Sequence, residues 1–481
     1  MLGMVVVRHH RMVNLPIAFL TAITPLIGGL CVMCISDKHI INIKASSIWT
    51  SCYTLYLALT TLCSFDASTG KYVEEIGTLG ATHGKLTIVV DELSAVVVPV
   101  ICFICLLSRV WTLGTDVRMM KAQFVMLFFF EAFAILAFYM TDIFLLFICM
   151  EATTIPIYTI MSTRAPPTHD AVFRFLIYTI VGALLILVAL IMIYLETHTS
   201  DLYEIYNGGG VKGRVAFLLL ILGIAIKMPM WPFYHWLPVV HVKSQTTCSV
   251  ILAAVTLKFA SLLIVRFVEP LFLSELMTNS VIVSCVSIVS IVYALSQLVF
   301  QDDIKRMFAY FSIIHLNMYL LILLSGLSKG YFIFAIIQHS ITVAALFFAA
   351  DVVKKSCGTR LISELKNISN IPPFTRRIMI AAFLLLISVP FSCGFICEII
   401  SVYAAWNISI VLTVAVLASI MISSIYAIYV YHICFGRRTA QEQPSEYAKH
   451  NVGAAQKSVL LSLVAVALLL GIMPDLVLRI F

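Results

Sequence analysis

The feature that most constrains this chain is a lysine inside an apolar run with three prolines behind it, in GIAIKMPMWPFYHWLP from Gly223 to Pro238. Lys227 falls at membrane depth, and Pro229, Pro232 and Pro238 break the helix that carries it. A charge at that depth is costly. Broken helices are tolerated in lipid only where protein or a wet cavity satisfies the freed backbone groups. The pattern points to a protein that moves ions or protons.

Composition agrees with that reading. Hydrophobic residues make up 61% of 481 positions and charged ones 11%, against about 25% charged in soluble domains. Such a chain reads as an all-α polytopic membrane protein. Apolar stretches of roughly 17–25 residues, enough to span a bilayer, fall at 13–35, 46–64, 93–111, 122–140, 142–162, 172–195, 214–238, 246–268, 278–300, 306–326, 330–353, 374–404, 407–434 and 457–480. These are about fourteen predicted helices, with Arg8-His-His-Arg11 read as the start of a retained first helix and not as a cleaved signal.

With fourteen spans both termini share one side. The connections on the other side hold 20 of the 31 Lys and Arg, including Lys354, Lys355, Lys366, Arg376, Arg437 and Arg438, whereas the terminal side holds about 8. The positive-inside rule then places the termini outside and the basic loops in the cytoplasm or matrix. The net charge of +7 is a topology signal on this reading, and nucleic-acid binding is not expected. The strength of the bias favours a bacterial cell membrane over a mitochondrial inner membrane.

Three motifs carry little. Cys31-Val-Met-Cys34 and Cys102-Phe-Ile-Cys105 lie in apolar spans without further ligands nearby, where cysteine packs as a small hydrophobe. Gly208–Gly213 fits a dinucleotide fingerprint in letters only, because the βαβ unit that gives the fingerprint its mechanism is missing.

The charges within spans carry more. Glu151 sits in DIFLLFICMEATTIPIY, Lys258 in ILAAVTLKFASLLIV, and Glu398 in SVPFSCGFICE, where Pro390 and Gly394 mark a second interrupted helix. A structural ion pair is the plain alternative, but two acids and two bases in separate spans suit a relay. Burial disfavours the charged form of such groups and an opposite charge restores it, so balanced groups change protonation when a neighbour does. His315 and His339, on consecutive helices between Lys258 and Glu398, extend the candidate path. His235 and His241 read as cavity-rim or packing groups.

The segments FVMLFFFEAFAILAFYMTDIFLLFICMEATTIPIYTIM, KMPMWPFYHWLPVVHVKSQTTCSVILAAVTLKFASLLIVRF, QDDIKRMFAYFSIIH and VPFSCGFICEI resemble the antiporter-like proton-pumping subunits of respiratory complex I, most strongly over residues 90–430. The resemblance implies two inverted five-helix repeats, each with one discontinuous helix. Helices 1–3 would occupy 1–120, the repeats 121–270 and 271–434, and a loop with the last helix 435–481. It also implies roles: Glu151 tunes Lys227, Lys227 carries the proton, Lys258 links toward the midline, His315 and His339 lie on the connecting axis, and Glu398 is the terminal donor or acceptor. Glu398 places the chain with the members that carry glutamate, not lysine, on the twelfth helix. NADH, FMN, iron–sulfur clusters and quinone are expected on other subunits, with no cofactor or metal in this chain. The expected partners are the other membrane-arm subunits, including related chains two and five, the lipid bilayer and protons. A multi-subunit sodium/proton antiporter is the alternative.

The chain departs from the family pattern after the broken helix. Where the family reads LPDAH-x-EAPT, this sequence has LPVVHVKSQTT, with Val239 in place of the acid and Lys243, Ser244 and Gln245 altering the loop; Cys397 replaces a common glycine, and Arg174 stands near a common lysine.

Overall fold

A computed structural model describes residues 16–66, 70–79, 84–113, 120–162, 169–208, 211, 213–368, 371–436 and 452–481. The basic start at Arg8–Arg11, Arg437, Arg438 and half of the Gly208–Gly213 run lie outside them.

Each apolar segment forms helix. The helices are α1 (Ile17–Cys34), α2 (Ile40–Ser64), α3 (Glu92–Leu113), α4 (Met120–Tyr139), α5 (Ile143–Ser162), α6 (His169–Thr197), α7a (Arg214–Lys227), α7b (Trp236–Lys243), α8 (Thr246–Leu271), α9 (Ser280–Leu298), α10 (Ile304–Leu324), α11 (Lys329–Cys357), α12a (Pro373–Leu386), α12b (Cys393–Ile408), α13 (Ile410–Phe435) and α14 (Ala454–Ile472). Among the described residues, 11 helices are continuous and apolar enough to cross a bilayer alone. The remaining three segments are α2, which is rich in Ser and Thr, and the divided α7 and α12. The two divided segments are the discontinuous helices expected from the prolines, and length and composition alone identify 11 spans.

Short polar residues fix the helix ends. Asp142 accepts from the Phe144 and Leu145 amides at the start of α5, and Asp303 from the Lys305 and Arg306 amides at the start of α10. Gly358 ends α11 with φ 75°, a left-handed conformation that glycine adopts without penalty.

One connection adds a small sheet to the helical bundle. The connection near 65–90 contains an antiparallel hairpin, β1 (Lys71–Leu79) and β2 (Gly84–Asp91), with an irregularity between Glu75 and Gly77. Backbone leaving the bilayer must satisfy its own N–H and C=O groups, and strand pairing does so. The Glu74 carboxylate accepts from the Ala18 and Phe19 amides at 3.0 and 2.9 Å, capping α1.

Contacts between connections sort into two faces. Lys121 donates to the Ile35 carbonyl, Lys305 to that of Ser244 and Arg360 to that of Val242. On the opposite face β2 bridges Met140, Asp142 bridges Asp201, and Lys329 pairs with Glu92 at 2.9 Å. We call these the basic face and the hairpin face. Each set joins only alternate connections, as successive crossings require. Helices α10 and α11 are buried throughout their apolar cores, with Arg306 and Lys354 exposed near their basic-face ends, and form the axis of the molecule.

Candidate proton-transfer site

Lys227 is the last residue of α7a, where the helix dipole favours a cation. The break behind it is well satisfied. The Met230 amide donates to the Ala225 carbonyl at 2.9 Å, Trp236 Nε1 to the Ile226 carbonyl at 3.2 Å, and the Trp231 amide to Ser290 Oγ at 2.8 Å. Across from it, Glu151 closes the first half of α5, where Thr153 interrupts the helix and its hydroxyl donates to the Met150 carbonyl. Lys227 Nζ meets Glu151 Oε1 at 2.7 Å, with the two side chains 12% and 21% exposed. Beside the lysine lies a cavity of about 20 Å³, lined in part by Thr153, Thr154, Tyr178, Thr179 and Thr256. That volume holds about one water, and hydroxyls supply its partners. Thr256 belongs to α8, so the cavity points from Lys227 toward the helix of Lys258.

Helix α8 carries two π-helical stretches, Leu252–Thr256 and Ile264–Val268, on either side of Lys258. Such widened turns change which way a side chain faces and leave carbonyls free. Lys258, 1% exposed, donates to the Ala253 carbonyl at 3.0 Å and lies 2.6 Å from His339 Nδ1. A proton on Lys258 therefore has a second basic nitrogen within one hydrogen bond.

Beyond His339 the path follows its neighbour in sequence. Gln338, 1% exposed, accepts from Tyr319 Oη at 2.8 Å and donates to Thr342 Oγ1 at 3.0 Å. His315 stacks on Tyr319 with ring centroids 5.9 Å apart. At the second break, Ser388 and Phe391 take positive φ (54° and 71°) around Pro390, and Ser392 caps α12b. The break is held from both sides. A Cβ on Gly394 would lie 2.6 Å from Ser388 Oγ and 3.1 Å from Gln338 Nε2, and one on Gly471 of α14 would lie 2.2 Å from the Phe391 carbonyl oxygen. Glu398, half-buried, stands one turn beyond Gly394.

The structure thus joins Glu151 with Lys227, and Lys258 with His339. It gives no direct contact between Lys227 and Lys258, between His315 and His339, or between Glu398 and either histidine among the described residues. The intervening groups are water-sized space and the neutral residues Thr256, Gln338 and Tyr319, which the reading of the sequence passed over.

Two further features bear on the site. Arg109 is buried in α3 and pairs with Glu131 of α4 at 2.8 Å, both side chains 0% exposed. Arg109 also donates to Ser51 Oγ at 2.9 Å and lies 3.9 Å over the Phe128 ring. Arginine does not give up its proton in proteins. Protonating Glu131 would therefore leave an isolated cation at depth, and the pair acts as a lock between helices. Second, His241 takes the packing alternative: it is 0% exposed, stacked on Phe347 of α11 at 4.5 Å. Neither of its ring nitrogens has a protein hydrogen-bond partner among the described residues. His235, by contrast, is exposed. In the altered loop, Gln245 accepts from Gln123 at 2.7 Å and the Ser244 carbonyl accepts from Lys305 at 2.8 Å, so the departures are built into side-chain contacts.

Residues 140–423 match the family model described as NADH:quinone oxidoreductase/Mrp antiporter, TM. The chain is 28% identical to NADH-quinone oxidoreductase subunit M of Rickettsia prowazekii over 98% of both chains. It is 27% identical to NADH-ubiquinone oxidoreductase chain 4 of Marchantia polymorpha over 86% of this chain and 85% of the relative. Its fold is similar to a chain of respiratory complex I from Thermus thermophilus (TM-score 0.83, 19% identity, 96% of this chain and 98% of that one) and to one of the Mrp complex from Dietzia sp. (TM-score 0.83, 17% identity, 96% and 95%). The chain belongs to the NADH:quinone oxidoreductase/Mrp antiporter transmembrane family.

Proposed function

We propose that this chain is a membrane-arm subunit of a proton-translocating NADH:quinone oxidoreductase, of the chain 4 type (subunit M in bacteria), in an inner membrane. The observation that carries the reading is the buried Lys258–His339 contact at 2.6 Å, flanked by Glu151–Lys227 on one side and by Gln338, Tyr319 and Glu398 on the other. The relatives' names, with Glu398 in place of lysine, favour this over a sodium/proton antiporter subunit. Bacterial relatives at full coverage favour a bacterial membrane.

In this mechanism Glu151 holds a proton on Lys227 while the two are paired. When redox energy released in other subunits displaces Glu151, the proton on Lys227 loses its counter-charge and moves through the water-sized cavity toward α8. Lys258 receives it and shares it with His339. From His339 it passes by water beside Gln338 and Tyr319 to Glu398, which loads and releases it. His241, on α7b near the basic face and stacked on Phe347 of the helix that carries His339, is the entry-side member. NADH, FMN, iron–sulfur clusters and quinone are handled by the partner subunits, and the reaction of the assembly is enzymatic while this chain moves protons.

The test is Glu398→Gln. It keeps size and hydrogen bonding while removing the proton that the group releases. Native gels should show normal complex and membrane vesicles should show impaired pumping. Unchanged pumping at normal complex levels would remove Glu398 from the path.

A further inference from the structure

A groove at the first helix break has no part in the relay. It holds about 450 Å³ and is lined wholly by apolar residues: Leu218, Leu222 and Ala225 of α7a on one wall, Ile282 and Val286 of α9 on the other, with Met230 and Trp231 at the break. Its floor is core, since Ile264, Val268 and Leu320 are 2%, 0% and 4% exposed. The groove is therefore a recess between helices. A site so lined excludes water.

One cation stands in line with it. Positions 214, 218, 221, 222 and 225 repeat at helical spacing and share one face of α7a. Arg214, at the hairpin-face end of that stripe, is exposed. The opposite stripe packs on α6, where a Cβ on Gly223 would lie 2.9 Å from the Gly182 carbonyl oxygen, and Glu196 stands on that side beside Gly213. From Arg214 to Ala225 the helix rises about 16 Å, close to the roughly 15 Å of hydrocarbon in one leaflet.

We propose that a phospholipid of the hairpin-face leaflet is a resident ligand of this groove, its phosphate on Arg214 and one acyl chain against the α7 break. The charge at the top and the apolar recess below match the two parts of such a molecule in order and in depth. A transmembrane helix, about 10–12 Å across, can cover this recess but not enter it. The lipid packs against the peptide groups that follow Lys227 and fills the space the broken helix leaves. This inference does not require Lys227 or Glu398 to carry protons, so it stands or falls apart from the proposed function.

The experiment places a photoreactive benzophenone side chain at Leu222, illuminates native membranes, and weighs the adduct on the purified complex. The expected adduct has the mass of a phospholipid. It falls about fivefold in Arg214→Gln, the ratio that one cation beside a lipid headgroup supports, and is retained in Arg214→Lys. Leu218→Trp, which fills the recess and leaves the arginine, also suppresses it, so an assembly defect in one variant does not decide the outcome. An adduct to another polypeptide would overturn the proposal. So would lipid labelling insensitive to both Arg214→Gln and Leu218→Trp, which would mean ordinary boundary lipid.

Discussion

Removing Arg109 tests whether buried charge in this chain always means proton transfer. The Arg109–Glu131 pair is 2.8 Å long with both side chains 0% exposed, and Arg109→Leu would strand Glu131 in hydrocarbon-like surroundings. Breaking a pair of that kind costs about 3–5 kcal/mol, and the lost contact with the Phe128 ring adds roughly 0.5–2 kcal/mol. Membrane domains stable by about 5–15 kcal/mol do not absorb that easily. The expected result is a steep loss of assembled complex on native gels and a lower thermal dissociation midpoint. The double variant Arg109→Leu/Glu131→Leu removes both charges and should regain most of the assembly, since well-packed apolar replacements of buried pairs are often neutral. Pumping per assembled complex should be close to normal in the double variant. Normal assembly with lost pumping in Arg109→Leu would refute the lock and make Glu131 a proton carrier.

Two other outcomes follow from the geometry. Gln338→Leu keeps the volume of the axis but removes the partner of Tyr319 Oη, 2.8 Å away; it should slow pumping more than tenfold, about 1.4 kcal/mol of barrier, with assembly intact on native gels. For orientation, a cysteine at Lys366 on the basic face should be protected from an impermeant external thiol reagent while one at Glu75 in the hairpin reacts, and the reverse labelling would invert the topology.

Much of the fold was legible because hydropathy in a bilayer is a strong signal: the segment at 330–353 and the helix Lys329–Cys357 differ chiefly in the length that projects beyond the apolar core. The two helix breaks were legible from Pro229, Pro232 and Pro390. The hairpin was not, since Lys71–Leu79 mixes charges with β-branched residues and reads as a polar connection. The individual candidates Lys258 and His339 were visible as isolated polar letters in apolar runs. Their contact spans 81 residues of sequence and depends on the π-helical turns of α8, which no local pattern announces. Gln338 and Tyr319 were passed over because neutral polar residues in a helix carry little cost and so little signal, although Gln338 directly precedes His339.

Whether protons pass through the buried bases is decided at Lys227. Its partner Glu151 is 2.7 Å away, and arginine could keep that pairing while never releasing its proton in the working range. Coupled NADH–quinone turnover and proton translocation should be measured in membrane vesicles for Lys227→Ala and Lys227→Arg, beside native gels of the same membranes. Both variants should assemble, with pumping and coupled turnover collapsed in Lys227→Arg as well as in Lys227→Ala. An active Lys227→Arg variant, with Lys227→Ala lowering the amount of complex, would contradict this and leave Lys227 a structural partner of Glu151.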